Sequence, residues 1–130
     1  MVRVMVKRVY DAPSEEDGYR VFVERLWPRG GMKKDALRMD LWAKSIAPSD
    51  ALRRWYSHDP ARWDEFRKRY REELCHSKEL EGGLRRMDTV TLLVASRSEL
   101  NGAVVIKGIL ENWEEFRSFC RENARRAGLQ

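Results

Sequence analysis

Residues 89–95, TVTLLVA, make up the most hydrophobic run of the chain. Because apolar residues follow one another here with little polar alternation, the run predicts a central β-strand that is covered on both of its faces. Such strands occur mainly in α/β proteins, in which helices pack on the two sides of a parallel sheet. The loop SRSELNG, residues 96–102, follows this strand and leads into a long helix that we predict over residues 102–123.

Two further strands are predicted near the start of the chain. In residues 2–10, valines at every second position predict a strand with one face partly in water. Residues 20–26 contain three consecutive apolar side chains, Val21 to Val23, and predict a second strand, and the turn-forming sequence DAPSEEDG at 11–18 separates the two. This connection is short for a parallel crossover, so the two strands are expected either to run parallel or to form a hairpin.

The segment between the second and third strands predicts helices. Apolar residues recur at roughly helical spacing over residues 35–46, and a short helix is predicted from Ser49. Asp59 followed by Pro60 is a start signal for a longer helix, because a carboxylate caps free N–H groups and proline suits the first turn. The element order predicts a single α/β domain over residues 1–130, with a small parallel or mixed sheet of three to four strands flanked by helices.

Composition argues against several classes of protein. The chain carries 26 Lys and Arg against 21 Asp and Glu, and its net charge of +5 is scattered, so nucleic-acid binding is not favoured. The first residues do not resemble a signal peptide, and no 18-residue apolar run predicts a membrane span. Cys75 and Cys120 belong to no CxxC or zinc pattern, so we predict reduced cysteines in a cytoplasmic protein without a metal site.

Arginine and other polar residues follow two of the predicted strands. In open α/β sheets, ligands bind at the carboxyl ends of the strands, and the free N–H groups of a helix start suit an anion. If the strands are parallel, we expect these residues to converge on one anion-binding cleft. The residues concerned are Arg25, Trp27, Arg29, Arg97 and Asn101. The alternative is structural: an arginine pairs with an acid in the core, the tryptophan packs, and the residues after it only turn the chain.

His58 and Asp59 form a second candidate pair, in the loop before the longer helix. A histidine beside a carboxylate is the arrangement of a general base and its orienting group, so His58 is the expected proton-transfer residue if the protein has an activity. Neighbouring residues rarely hold each other in catalytic geometry, however, and Asp59 is also expected to cap the next helix. The sequence contains no nucleotide-binding glycine motif and no metal-ligand motif, so no cofactor is predicted.

Three motifs, taken in order, resemble a known family. They are RLWPRG at 25–30, HDPARWDEFRKRYREEL at 58–74, and VTLL at 90–93 with NGAVV at 101–105. Together they resemble the YeaO-like branch of domain-of-unknown-function family 488, over about residues 2–111. The resemblance implies a single α/β domain and implies no activity. It also implies histidines on both sides of Asn101, where this chain has Leu100 and Gly102, and an aspartate where it has Glu24.

These observations lead to two hypotheses for function. The first is a cleft that binds a small anionic or phosphorylated compound, in a protein that acts as a hydrolase or transferase if it has an activity. The alternative is a non-enzymatic interaction or regulatory domain associated with nucleic acid. Five tryptophans leave room for one at a homodimer face, so either a monomer or a homodimer is expected.

Overall fold

The computed structural model describes residues 1–30 and 32–128. In these residues four parallel strands form one sheet in the order β1-β4-β2-β3. The strands are β1 (Arg3–Arg8), β2 (Tyr19–Phe22), β3 (Leu41–Trp42) and β4 (Thr89–Val94). The helices are α1 (Lys34–Leu37), α2 (Asp50–Tyr56), α3 (Trp63–Leu74), α4 (Lys78–Gly82), α5 (Gly102–Glu111) and α6 (Trp113–Arg126). The α/β architecture predicted from the sequence is confirmed.

The hydrophobic run at 89–95 forms the centre of the sheet. β4 pairs with β1 from Arg3 opposite Thr89, and on its other side with β2 up to Phe22 opposite Leu93. Leu92 and Leu93 are both fully buried, as expected for a strand that is covered on both faces. β1 and β2 are therefore parallel and lie on either side of β4, which excludes a hairpin between them.

Successive residues of the central strands belong to two separate cores, because side chains alternate between the faces of a sheet. Val21 and Leu92 pack into the larger core, which contains apolar residues of α2, α3, α5 and α6. Phe22 and Leu93 pack into the smaller core on the opposite face, together with Leu37 of α1. The sheet is thus covered mainly by helices on one side and by a small cluster on the other.

The prediction of a helix over residues 35–46 was wrong. α1 ends after one turn, because Arg38 adopts a left-handed conformation with φ of 48°. The chain then forms β3, which is held beside β2 by hydrogen bonds from Asp40 N–H to Arg20 O and from Ala43 N–H to Phe22 O. The open edge of β2 supplies backbone partners that helical spacing in the sequence cannot reveal. The predicted long C-terminal helix is likewise divided, at Asn112.

The prediction of reduced cysteines was also wrong. Cys75 and Cys120 form a disulfide whose Cα atoms are 5.5 Å apart, although 45 residues separate them in the sequence. The bond connects the end of α3 to α6. Sequence spacing indicated no pair, because the two cysteines come together only through the packing of these two helices. No helix in the described part of the chain has both the length and the apolar character that a membrane crossing requires.

Candidate functional site

A cavity of about 730 Å³ lies at the carboxyl edge of the sheet. Val23 and Val94, at the ends of β2 and β4, contribute to its floor, so the cavity occupies the place where open α/β sheets bind ligands. The end of α2 and the start of α5 form further walls. Its volume lies within the usual range of 300 to 1,000 Å³ for small-molecule sites. We call this cavity, with its lining residues, the carboxyl-edge cleft.

The walls of the carboxyl-edge cleft are rich in arginine. Among the described residues, four arginines and one histidine line it, against a single carboxylate from Glu24. The arginines are Arg25, Arg29, Arg53 and Arg54. Like charges around a concave site focus the electric field and raise the local concentration of ions of the opposite sign. The electrostatics of the cleft therefore favour an anion.

The four arginines differ in how firmly the protein holds them. Arg25 is half-buried, and its Nε donates to Pro48 O at 3.3 Å. Arg53 is exposed and pairs with Asp50 at 3.3 Å. Arg54 is exposed, and within residues 1–30 and 32–128 its side chain makes neither a hydrogen bond nor an ion pair. Arg29 is exposed as well, and its side chain likewise has no partner among those residues. Arg29 and Arg54 are therefore the two arginines most available to a ligand.

The structure brings five of the predicted site residues to this cleft and leaves two outside it. Those that line it are Arg25, Trp27, Arg29, His58 and Asn101. Arg97 and Asp59 do not belong to the lining. The parallel arrangement of β2 and β4 is the reason that loops so distant in sequence meet, since the carboxyl ends of parallel strands share one edge of the sheet.

Two of the residues in the lining already have structural partners. Trp27 donates its indole N–H to Met32 O at 2.8 Å and packs against Phe22. Asn101 caps α5, because its Oδ1 accepts the N–H of Val104 at 3.2 Å. Asn101 therefore satisfies one of the free N–H groups at the start of α5. These two side chains shape the cleft, and the arginines supply its charge.

His58 reaches the cleft through an unusual piece of backbone. Ser57 and His58 both have positive φ, 45° and 55°, although neither is glycine. Non-glycine residues in this conformation are uncommon, and they occur preferentially at functional sites. The side chain of His58 is exposed beside Tyr56. Asp59 turns away to cap the next helical turn by accepting the N–H of Ala61 at 3.0 Å.

Glu24, like Arg53 and Arg54, is a cleft residue to which sequence reasoning gave no role. Its carboxylate accepts the N–H of Ala95 at 3.0 Å, across the gap between the ends of β2 and β4. Burial raises the pKa of the Glu24 carboxyl, while the N–H groups of Ala95 and Ser96 and the charge of His58 act in the opposite direction. The available signal was the family resemblance, which differs from this chain at position 24.

The arrangement as a whole places four arginines and His58 around one cavity, with the carboxylate of Glu24 in the same lining. No group of three or more His, Cys, Asp or Glu side chains suited to a metal ion occurs among residues 1–30 and 32–128. Comparison with known proteins then assigns the chain. Residues 3–125 match the family model described as the inactive DUF488-N3 subclade. This chain belongs to the DUF488 family.

The relatives of this DUF488 protein carry no assigned activity in their names. It is 36% identical over 109 residues to the uncharacterized protein YeaO of Escherichia coli. This alignment covers 81% of this chain and 94% of YeaO. It is 51% identical over 78 residues to an uncharacterized protein of Mycobacterium tuberculosis, covering 60% of this chain. The matched part spans 65% of that mycobacterial protein. No solved structure matches this DUF488 chain. The YeaO-like resemblance is confirmed.

Two positions beside Asn101 distinguish this DUF488 chain from the pattern that the resemblance implies. Leu100 bonds through its backbone: its carbonyl accepts the hydroxyl of Tyr56 at 2.7 Å, and its N–H donates to Ser98 Oγ at 3.0 Å. Gly102 packs against Tyr70 so closely that an added Cβ would lie 3.1 Å from the ring. A histidine at position 102 would therefore require Tyr70, which is fully buried, to move.

Proposed function

We propose that this protein, as one domain over residues 1–130, binds a small anionic compound such as a phosphate monoester in the carboxyl-edge cleft and does not turn it over. The observation that carries the proposal is the charge of the cleft: four arginines and His58 face one cavity of about 730 Å³ that holds a single carboxylate among the described residues. Arginine guanidinium groups bind phosphate through paired N–H donors, which suits an anion with several oxygens.

Three observations favour binding without turnover over the hydrolase or transferase hypothesis. The matching family model is described as inactive. Position 102, where the resemblance implies a histidine, is a glycine packed against Tyr70. Asp59, the expected partner of His58, is engaged in capping and lies outside the cleft lining. His58 would have to transfer a proton without an orienting carboxylate from its neighbour.

A thermal-unfolding screen tests the binding. The panel contains phosphate, sulfate, nucleoside monophosphates, sugar phosphates and short oligonucleotides. A ligand that binds only the folded protein at 100 times its Kd stabilises it by about 2.7 kcal/mol, which raises Tm by several degrees in a protein of this size. We expect one class of small anion to raise Tm. A panel in which no compound does so contradicts the proposal, and a response to oligonucleotides alone favours the nucleic-acid hypothesis.

Paired variants locate the site. Arg53→Ala with Arg54→Ala removes two exposed positive charges from the cleft, whereas Arg125→Ala with Arg126→Ala removes the same charge near the end of α6. Because all four side chains are exposed, both variants should keep their stability within about 0.5 kcal/mol. We expect the Tm shift to disappear in the first variant and to persist in the second. Equal shifts in the two would place the anion elsewhere.

The absence of turnover has its own measurement. Phosphorus NMR of a phosphate monoester that raises Tm, incubated with the protein, should show the ester unchanged after many hours. Steady release of inorganic phosphate that is abolished by His58→Ala would show that the chain is a hydrolase and would overturn the second half of the proposal.

A further inference from the structure

Glu24 is an acidic residue inside a basic cleft, and among the described residues no cationic side chain forms an ion pair with it, although the charge of His58 acts on it from farther away. Within residues 1–30 and 32–128, no Lys, Arg or His nitrogen lies within 4.0 Å of its carboxylate oxygens. Its side-chain hydrogen bond comes from the backbone N–H of Ala95 at 3.0 Å. Carboxylates that are removed from water are usually paired with a cation, so this one is an exception that calls for an explanation.

The arginines of the cleft do not provide the missing cation, because the protein holds two of them away. The guanidinium of Arg25 is directed to Pro48 O, and that of Arg53 to the carboxylate of Asp50. These two positively charged side chains of the cleft are therefore kept apart from the negatively charged carboxylate of Glu24. A ligand that carried only negative charge would bind the arginines and leave the carboxylate of Glu24 unpaired.

The acceptor capacity of Glu24 is only partly used. A carboxylate has about four lone-pair sites on its two oxygens; the N–H of Ala95 occupies one of them, and the N–H of Ser96 is directed at the same carboxylate. A donor that is itself charged forms a shorter and stronger hydrogen bond to a carboxylate than a neutral donor does. A ligand group of this kind would satisfy both the charge and the free acceptor sites.

We propose that the ligand of the carboxyl-edge cleft carries a cationic N–H donor together with its anionic group, as in a phosphorylated primary amine, and that Glu24 selects it by accepting that donor. The inference rests on the proposed function, since the arginines must bind the anionic part. It narrows the proposed ligand from anions in general to compounds that carry both a negative and a positive charge.

Three compounds of similar size separate the contributions. Ethyl phosphate has the anion alone, phosphoethanolamine adds an ammonium with N–H donors, and phosphocholine adds a cation without any N–H. Isothermal titration calorimetry on the wild-type protein should show phosphoethanolamine binding about tenfold more tightly than ethyl phosphate, as expected for one charge-assisted hydrogen bond. Phosphocholine should gain much less, because it cannot donate to Glu24.

Glu24→Gln provides the matched variant. Glutamine keeps an oxygen that can accept the N–H of Ala95 but removes the charge, so phosphoethanolamine should lose its tenfold advantage over ethyl phosphate. Ethyl phosphate itself should bind at least as tightly as to the wild type, because a negative charge beside its phosphate is removed. Arg53→Ala with Arg54→Ala should weaken all three compounds together. Equal affinity of the wild type for phosphoethanolamine and ethyl phosphate overturns the inference and leaves the proposed function standing.

The remaining outcomes are equally decisive. If the wild type binds none of the three compounds, the inference and the phosphate-monoester form of the proposed function fail together. If Glu24→Gln keeps the tenfold preference, the selectivity has another source. Should that variant fail to fold, the comparison of the three compounds on the wild type still decides, because it requires no substitution.

Discussion

Two arginine–carboxylate regions lie at opposite ends of β2, and they treat charge in opposite ways. At its start, Asp17 just before the strand and Arg20 within it are buried and joined in an ion pair. After it, Glu24 faces a cleft lined by arginines such as Arg54 and pairs with none of them among the described residues. The first region uses its charges to close the structure. The second leaves Glu24 and Arg54 without ion-pair partners among the described residues, which is the arrangement expected of a binding site.

The region around Asp17 and Arg20, which we call the closed region, satisfies its buried charged groups with partners inside the protein. The region around Glu24 is the open region. Arg20 donates to Asp17, to Leu37 O at 2.9 Å and to Arg38 O at 2.9 Å, so its guanidinium connects β2 to α1 and the residue after it. Lys7 adds a second cation at 3.1 Å from Asp17. Burial alone would raise the pKa of Asp17, but the N–H of Ser14, the ammonium of Lys7 and the guanidinium of Arg20 together hold it below its ordinary value.

The largest expected effect comes from breaking the closed region. Asp17→Ala leaves the Arg20 guanidinium buried without its counter-charge, which should lower the free energy of unfolding by about 3–5 kcal/mol in urea denaturation. Glu24→Gln, which removes a charge from the open region, should change it far less. A loss below 1 kcal/mol for Asp17→Ala would mean that the buried pair contributes little and that the two regions are not different in kind.

The acid side of the stability curve checks the same residue. Because the pKa of Asp17 is lowered on folding, its contribution is present above its unfolded pKa, near 3.8, and is lost as pH falls through the folded pKa. The wild type should lose part of its stability in this acidic window, and Asp17→Ala should not. Glu24 has the opposite sign: its raised pKa gives a contribution that is present below 4.5 and is lost as pH rises.

The disulfide between Cys75 and Cys120 separates stability from binding. Its removal frees the unfolded chain from a 45-residue loop closure, which should lower the free energy of unfolding by about 2–4 kcal/mol. Thermal unfolding with and without a reductant measures the effect, and Cys75→Ser with Cys120→Ser is the control, since reductant should not change it. Anion affinity at the cleft should be unaffected in the folded protein. An unfolding midpoint that does not respond to reductant in the wild type would contradict the prediction.

The smallest expected effect compares two glycines, one in each region. Gly18, with φ of 63°, follows Asp17, and a Cβ there would lie 2.5 Å from Thr89 O. Gly30, with φ of 91°, follows Arg29 of the carboxyl-edge cleft, and a Cβ there would meet no atom within 4 Å. Alanine is strained at both positions, but only Gly18→Ala adds a clash, so it should destabilise by about 1–3 kcal/mol more. Equal losses in urea denaturation would show that the packing before β2 can relax.

Local patterns predicted much of this molecule, and tertiary pairing decided the remainder. The run at 89–95 indicated a central strand, because a nearly continuous series of apolar residues is typical of a strand that is buried on both faces. β3 was missed because Leu41 and Trp42 also fit helical spacing, and only the open edge of β2 makes them a strand. Arg25 and Arg29 were found from a strand end, but Arg53 and Arg54 were not, because they belong to α2, whose position beside the cleft is decided by tertiary packing. The availability of each arginine was not predictable either, since a partner such as Pro48 O is invisible in sequence. Glu24 and the disulfide were missed for the same reason.

The disulfide also makes part of the polypeptide into a covalent ring. The ring runs from Cys75 to Cys120 and contains β4, the strand that joins the two halves of the sheet. A force that separates the two ends of the chain can therefore stretch only the segments outside the ring. About 45 residues, or roughly 150 Å of extended chain, stay out of reach of such a pull while the bond is intact. While the disulfide is intact, a force applied to the two chain ends therefore cannot extend the central strand of the sheet residue by residue.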